Sequence, residues 1–118
     1  MGDGSTMAES ERDLVRQLQG GERAALEALY RRYVERVWRY AFARTRDREV
    51  AADVVQDTFL RVWQRIGTFR GRAQFSTWLF AVARSALVDE VRRRRRASGA
   101  DASRLDPETP RVLRLAVI

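Results

Sequence analysis

The chain has 118 residues, enough for one domain, and its 23 basic and 16 acidic residues give a formal net charge of +7. It contains neither cysteine nor histidine, which excludes disulfides and thiolate nucleophiles and removes most zinc ligands and the commonest general base. No apolar run is long enough to span a bilayer and residues 1–7 lack the apolar centre of a signal peptide, so we expect a cytoplasmic protein without membrane insertion.

The positive charge is concentrated in one segment. Residues 61–96 contain ten arginines against two acidic residues, whereas residues 1–60 contain ten arginines against eleven acidic residues. This asymmetry favours a polyanionic partner, and the aromatic residues of the same segment favour nucleic acid over a membrane surface.

The first two predicted elements are amphipathic helices, preceded by residues 1–8, which we expect to be a disordered leader. Residues 9–19 place leucine and valine on one side, and a Gly-Gly pair closes this helix. From Glu22 to about Arg44 apolar residues recur every three or four positions, which predicts the long central helix. Its aromatic residues have core spacing, so we assign them to the core and not to base stacking. They are Tyr30, Tyr33, Trp38, Tyr40 and Phe42.

A third helix is predicted from an N-cap at Asp47 to about Ile66. Its apolar side consists of Val50, Val54, Val55, Phe59, Val62, Trp63 and Ile66. The opposite side carries Asp53, Gln56, Asp57, Leu60, Arg61 and Gln64 at helical spacing. An ordinary solvated face is one interpretation of this pattern. A leucine among polar groups favours the other, a docking surface.

Residues 67–74 interrupt the helical pattern with two glycines, two arginines and Phe69. Eight residues exceed what a connection between two helices needs, which favours a functional loop. Its arginines have the chemistry to grip phosphates, and Phe69 either anchors the loop or stacks on a base. A fourth helix is predicted from Phe75 to Arg96, capped by Ser76 or Thr77, with an apolar first part and a final run of five arginines.

After Arg96 a small-residue segment reads as a flexible linker. The last residues are apolar but short, and we expect either a truncated stump or a strip that docks elsewhere. The predicted fold is therefore all-α, a compact bundle of about four helices spanning residues 9–96, with flexible N- and C-terminal tails.

Three blocks of this sequence occur in the order and spacing of a known family. They are Ala-Ala-Asp-Val-Val-Gln-Asp-Thr-Phe-Leu-Arg-Val-Trp at 51–63, Phe-Arg-Gly at 69–71, and Phe-Ser-Thr-Trp-Leu-Phe-Ala-Val-Ala-Arg at 75–84 followed by Asp-Glu-Val-Arg-Arg at 89–93. Together they resemble region 2 of bacterial extracytoplasmic-function (ECF) sigma factors over residues 10–96.

The resemblance implies a helical transcription initiation domain with two binding surfaces. One would dock on the clamp helices of the largest subunit of RNA polymerase core, through Asp53, Gln56, Asp57, Leu60 and Arg61. The other would hold the non-template strand of the melted minus-ten promoter element, including a flipped base, through Phe69, Arg70, Arg72, Arg84, Ser85, Asp89, Arg92 and Arg93. An unstacked base needs polar partners and a separated strand needs arginines along its backbone, so the residue types agree with this role.

Two departures from the family pattern affect what the resemblance implies. Many members have asparagine where this chain has Ser85, and a hydroxyl offers fewer hydrogen-bonding groups than an amide. The family also adds a region 4 that reads the minus-thirty-five element, and residues 97–118 read as a linker stump toward that absent region.

Alternatives from other classes stay open at this point. One is a basic nucleic-acid-binding domain that acts without polymerase, and another is a protein-interaction domain held by an anti-sigma factor. The third is an enzyme in which Asp53 and Asp57 chelate a cation, although the sequence offers no further ligand at a suitable spacing. The sequence predicts no cofactor.

Overall fold

A computed structural model of the chain describes residues 3–98, with side chains described from residue 11 onward. It contains α1 (Asp3–Gln19), α2 (Arg23–Thr45), α3 (Arg48–Arg65), a 3₁₀ turn (Ile66–Thr68) and α4 (Phe75–Ala97). The predicted all-α bundle of four helices is confirmed for this part of the chain. Of the expected C-terminal tail, residues 97–118, Ala97 ends α4 and Ser98 caps it, and residues 99–118 lie outside the described residues, as do residues 1–2. No helix within residues 3–98 is long and apolar enough to cross a membrane.

The helices pack in chain order, because α2 lies against both α1 and α3, and α3 lies against α4. Apolar residues spaced three or four apart give each helix one buried stripe. One core cluster joins α1, α2, α3 and α4 around the fully buried Leu29 and Leu79. A second cluster, around Val50, Val54 and Leu87, joins the end of α2 to α3 and the second half of α4. The apolar stripes thus fix α3 and α4 side by side along most of their length.

The turn between α2 and α3 depends on two residues. Arg46 has a left-handed backbone with φ of 54°, and its N–H donates to the carbonyl oxygen of Phe42, which ends α2. Asp47 Oδ1 then accepts hydrogen bonds from the backbone N–H groups of Glu49, at 3.0 Å, and Val50, at 3.1 Å. The predicted N-cap at Asp47 is confirmed, and the short turn makes α2 and α3 antiparallel neighbours.

One predicted helix start and one predicted helix cap are wrong. Helix α1 begins at Asp3 and not at Glu9, so the predicted leader overlaps its first turns; no proline interrupts residues 3–19, and an acidic residue suits a helix N-terminus. Helix α4 has Gln74 as its N-cap, without a side-chain capping bond, and Ser76 and Thr77 lie within its first turn. The start is set by burial of Phe75 in the core, which leaves the Gln74 carbonyl to accept from the Thr77 N–H.

Two aromatic residues assigned to the core are more exposed than their spacing predicts. Trp63 is 38% exposed and Tyr30 is 40% exposed. Trp63 follows the fully buried Val62, and one residue turns a helix by about 100°, so only part of this large ring reaches the core. Tyr30 packs edge-on against Phe59 at 4.9 Å and covers that ring from the solvent side. Of the other four aromatic residues of α2 that were assigned to the core, Tyr33 is buried, and Trp38, Tyr40 and Phe42 are half-buried.

Candidate functional site

The outer side of α3 combines exposed and paired residues. Gln56 is exposed, and Leu60 is 52% exposed although it is aliphatic. Asp53 is also exposed, whereas Asp57 is half-buried and Arg61 retains only 14% of its side-chain exposure. The five residues predicted to bind polymerase therefore lie on one helix, but two of them, Asp57 and Arg61, are partly enclosed by the fold.

Arg61 connects α3 to α4. Its Nη2 lies 3.0 Å from Asp57 Oδ2 on the same helix and 2.8 Å from Asp89 Oδ2 on α4. Burial alone would lower the pKa of Arg61, but the hydrogen bonds and negative charges of Asp89 and Asp57 outweigh burial and raise it. The guanidinium is thus held as a cation between two carboxylates, one from each predicted surface.

A second ion-pair system crosses between the same helices near the end of α4. Glu90 is only 3% exposed, and its carboxylate pairs with Arg93 and, at 2.6 Å, with Arg94 Nε. Arg94 also reaches Asp53 Oδ2 on α3 at 2.5 Å. Hydrogen bonding to Glu90 is the main cause of a raised pKa for Arg94. Two members of the arginine run therefore neutralise a buried acid, although the sequence gives the run the appearance of a fully solvated block.

The connection between α3 and α4 is tied down at several points. Phe69 is half-buried, and its ring lies 5.5 Å from Trp78 and 6.1 Å from Phe75, so the anchoring interpretation of Phe69 agrees with its position. Gln19 at the end of α1 donates from Nε2 to the carbonyl oxygens of Phe69, at 3.1 Å, and Ile66, at 3.3 Å. Gly71 has a φ of 75°, which favours glycine and turns the chain back toward α4.

The predicted DNA-binding residues form a long track. Arg70 and Arg72 are exposed in the loop, and Arg84, Ser85 and Arg92 are exposed on α4. Asp89 and Arg93 are exposed as well, but both are engaged, with Arg61 and Glu90 respectively. At 1.5 Å per residue, the helix from Phe75 to Arg92 extends about 25 Å. These residues are therefore too far apart to form one pocket, and their arrangement suits an extended ligand.

For several residues of the site, the sequence does not identify the interaction partners. Gln19 and Asp53 are separated from their partners by one or more chain reversals, and Glu11 is a further example. Both Glu11 carboxylate oxygens accept from the Tyr33 hydroxyl, at 2.9 and 3.0 Å, and Oε1 lies 3.1 Å from Arg32 Nη1. Burial, followed by this hydrogen bond, raises the pKa of Tyr33. Only the charge of these residues and their helical register could have indicated such pairing.

Comparison of the sequence with known proteins identifies a family. Residues 29–97 match the Sigma-70 region 2 family. The chain is 37% identical to RNA polymerase sigma factor YlaC of Bacillus subtilis over 71 residues, which are 60% of this chain and 41% of YlaC. It is 39% identical to ECF RNA polymerase sigma factor BldN of Streptomyces coelicolor over 82 residues, 68% of this chain and 31% of BldN.

A third relative has a similar sequence identity. ECF RNA polymerase sigma factor SigL of Mycobacterium tuberculosis is 43% identical over 72 residues, which are 60% of this chain and 41% of SigL. The chain thus spans less than half the length of these three relatives. No solved structure matches the chain significantly. Because the family match covers α2 from Leu29, all of α3 and α4 to its last residue, the chain belongs to the Sigma-70 region 2 family and resembles region 2 of ECF sigma factors.

Proposed function

We propose that this sigma factor domain binds RNA polymerase core through α3 and holds the melted minus-ten non-template strand along the loop 69–74 and α4. The observation that carries the proposal is the side-by-side packing of α3, with exposed Gln56 and Leu60, against α4, which together with the preceding loop carries exposed arginines over about 25 Å. A protein-docking face and a polyanion track on one rigid body suit a domain that joins an enzyme to DNA.

The division between the two surfaces follows from charge and exposure. An exposed aliphatic side chain between an amide and carboxylates has the mixed character of a protein interface. The exposed arginines Arg84 and Arg92 make no ion pair within residues 11–98, so their charges are available to phosphates. The role proposed here is binding, not catalysis, and the cytoplasm is the compartment in which polymerase and promoter meet. An anti-sigma factor is a further expected partner from the family resemblance alone.

The decisive experiment measures how well bacterial core polymerase retains the chain. It compares the unmodified chain with the double variant Gln56→Ala/Leu60→Ala. Both side chains are exposed and the structure gives Gln56 no partner within residues 11–98, so we expect the melting temperature to stay within a few degrees. Retention by core should be lost, because interface energy concentrates in a few central residues.

The matched control is Gln17→Ala/Val88→Ala, which removes an exposed amide and an exposed aliphatic side chain away from this face. It should be retained like the unmodified chain. Unchanged retention of the Gln56→Ala/Leu60→Ala variant would refute the docking face. If the unmodified chain were not retained at all, and bound minus-ten and scrambled strands equally, a nucleic-acid-binding domain independent of polymerase would replace this proposal.

A further inference from the structure

A large basic groove lies beside the loop 69–74 and the first residues of α4. Its walls are α1, α2 and residues 69–76, and its volume is about 1180 Å³. Its arginines are Arg12, Arg16, Arg32, Arg36, Arg70 and Arg72. Four of these six belong to α1 and α2, outside every surface assigned above.

The groove has a strong excess of uncompensated positive charge. Its one lining carboxylate, Glu11, is already satisfied by Arg32 and by the Tyr33 hydroxyl, so it presents little repulsion to an anion. Arg16 pairs with Asp13 at the exposed rim. Arg12 and Arg36 have no carboxylate partner within residues 11–98, and Arg36 lies 5.0 Å above the Tyr33 ring. Several cations along both walls of one cleft focus a positive potential inside it.

The groove is preformed and not assembled from loose segments. Gln19 fixes the end of α1 to the carbonyl oxygens of Ile66 and Phe69, which holds the loop at a set distance from α1. Phe69 anchors the same loop from the other side, on Trp78 and Phe75. A ligand therefore meets charges whose supports are already ordered, which reduces the entropic cost of binding.

The loop belongs to both surfaces, and this suggests the ligand. Arg70 and Arg72 stand at the start of the α4 track and also line the groove. Resting on the proposed function, we infer that the groove takes the phosphate backbone of the adjoining segment of the same single DNA strand, gripped by Arg12, Arg16 and Arg36.

The test uses a single DNA strand that the complex of this chain with core polymerase (the chain–core complex) selects from a random library. The strand is made in two forms. The short form carries only the selected element, and the long form is extended at both ends. Anisotropy over a salt series gives affinity and salt dependence. The groove variant is Arg12→Ala/Arg16→Ala/Arg36→Ala. The control, Arg23→Ala/Arg31→Ala/Arg48→Ala, removes the same charge at exposed positions outside the groove.

We expect the extended strand to bind the unmodified complex more tightly than the short one. The groove variant should lose this gain, and its salt slope should fall by roughly 2, since each phosphate contact on a single strand contributes roughly 0.7. Its preference for the selected over a scrambled strand should persist. The control should keep the length-dependent gain. Arg12→Ala/Arg16→Ala, which leaves the Arg36 contact with Tyr33 intact, should show a smaller loss in the same direction.

The outcomes separate the two proposals. A groove variant that keeps the gain and the salt slope of the control overturns the groove assignment and leaves the proposed function standing. If the library yields no enriched sequence on the chain–core complex, the proposed function fails, and the inference fails with it.

Discussion

Arg61 Nη2 on α3 donates to Asp89 Oδ2 on α4 across 2.8 Å, and this bond joins a residue predicted to bind polymerase to a residue predicted to bind DNA. The Arg61 side chain is 14% exposed and Asp89 is 53% exposed, so the arginine is largely enclosed while the carboxylate faces solvent. Arg61 therefore orients Asp89, and the two proposed surfaces share a structural element.

A double-mutant cycle between these residues tests that relationship. Arg61→Ala and Asp89→Asn should each lower the free energy of unfolding, and their effects should be non-additive by about 1 kcal/mol, a modest value because Asp89 is well solvated. Urea denaturation of the four proteins gives the coupling. Arg61→Ala should also reduce discrimination between a selected and a scrambled strand in the presence of core. Additive stabilities would show that the bond has no energetic role.

Trp78 tests whether the loop anchor is part of the fold. Its indole packs on Phe69 at 5.5 Å and on Phe75 at 6.0 Å. Trp78→Ala should cost about 3 kcal/mol, at the low end for a tryptophan because the ring is half-buried. Chemical denaturation measures the loss, with Thr77→Ala as the exposed neighbouring control. A variant of unchanged stability that no longer binds the strand would place this ring on DNA instead.

The five consecutive arginines at 92–96 should have two different roles, one in stabilising the fold and one in binding phosphates. Arg95 and Arg96 are exposed, so Arg95→Ala/Arg96→Ala should lower the salt slope by roughly 1.4 for every strand alike. Arg94→Ala should instead destabilise the fold, because it removes a partner from the buried Glu90 and from Asp53. Thermal melting and salt-dependent anisotropy distinguish these effects. Equal stability losses for both variants would contradict the division.

Ser85 offers the matching test of base reading. It is exposed on α4 and carries no formal charge, so Ser85→Ala should leave the salt slope nearly unchanged. A lost polar contact to one base costs about 1 to 3 kcal/mol for the preferred strand and little for others. The same anisotropy series measures both quantities. A uniform loss of affinity for selected and scrambled strands would remove Ser85 from base reading.

Tyr33 predicts how stability changes in alkaline solution. Its raised pKa means that, above about pH 10, the unfolded chain releases this proton while the folded chain retains it. The free energy of unfolding should therefore fall as the pH rises from about 9 to 11. Tyr33→Phe should cost about 1 kcal/mol at neutral pH, through the lost bond to Glu11, and should make that fall shallower. An equally steep fall in the variant would contradict the assignment.

Helix positions were largely predictable because each apolar stripe repeats over many turns. The central helix was expected to end near Arg44 and ends at Thr45, and the Asp47 cap follows from local chemistry alone. The start of α4 at Phe75 was predicted, but its capping residue was not, because burial of Phe75, a tertiary effect, outweighs the capping preference of Ser76 and Thr77. Local sequence patterns therefore predict the positions of helices well, but they predict the ends of helices less well.

The pairing of charges could not be predicted in the same way. Which acid of the neighbouring helix meets Arg61 or Arg94 depends on how α3 and α4 cross, and no short sequence window records that geometry. Glu90 lies three and four residues after the buried Leu87 and Ala86, on the apolar stripe of α4, but its charge predicts exposure, and it is buried only because Arg93 and Arg94 pair with it. The predicted residues were thus placed on the expected helices, while their engagement with one another emerged only from the packing.

The hydrogen bonds of Gln19 separate the shape of the basic groove from its charge. The groove's positive potential comes from six arginines, whereas a neutral amide that bridges α1 to Ile66 and Phe69 contributes to its width. Two related chains could therefore carry the same arginines and the same net charge and still differ in the width of the cleft. The width of the groove and its electrostatic potential are therefore independent properties. A substitution of Gln19 by another neutral residue would alter the width without changing the charge.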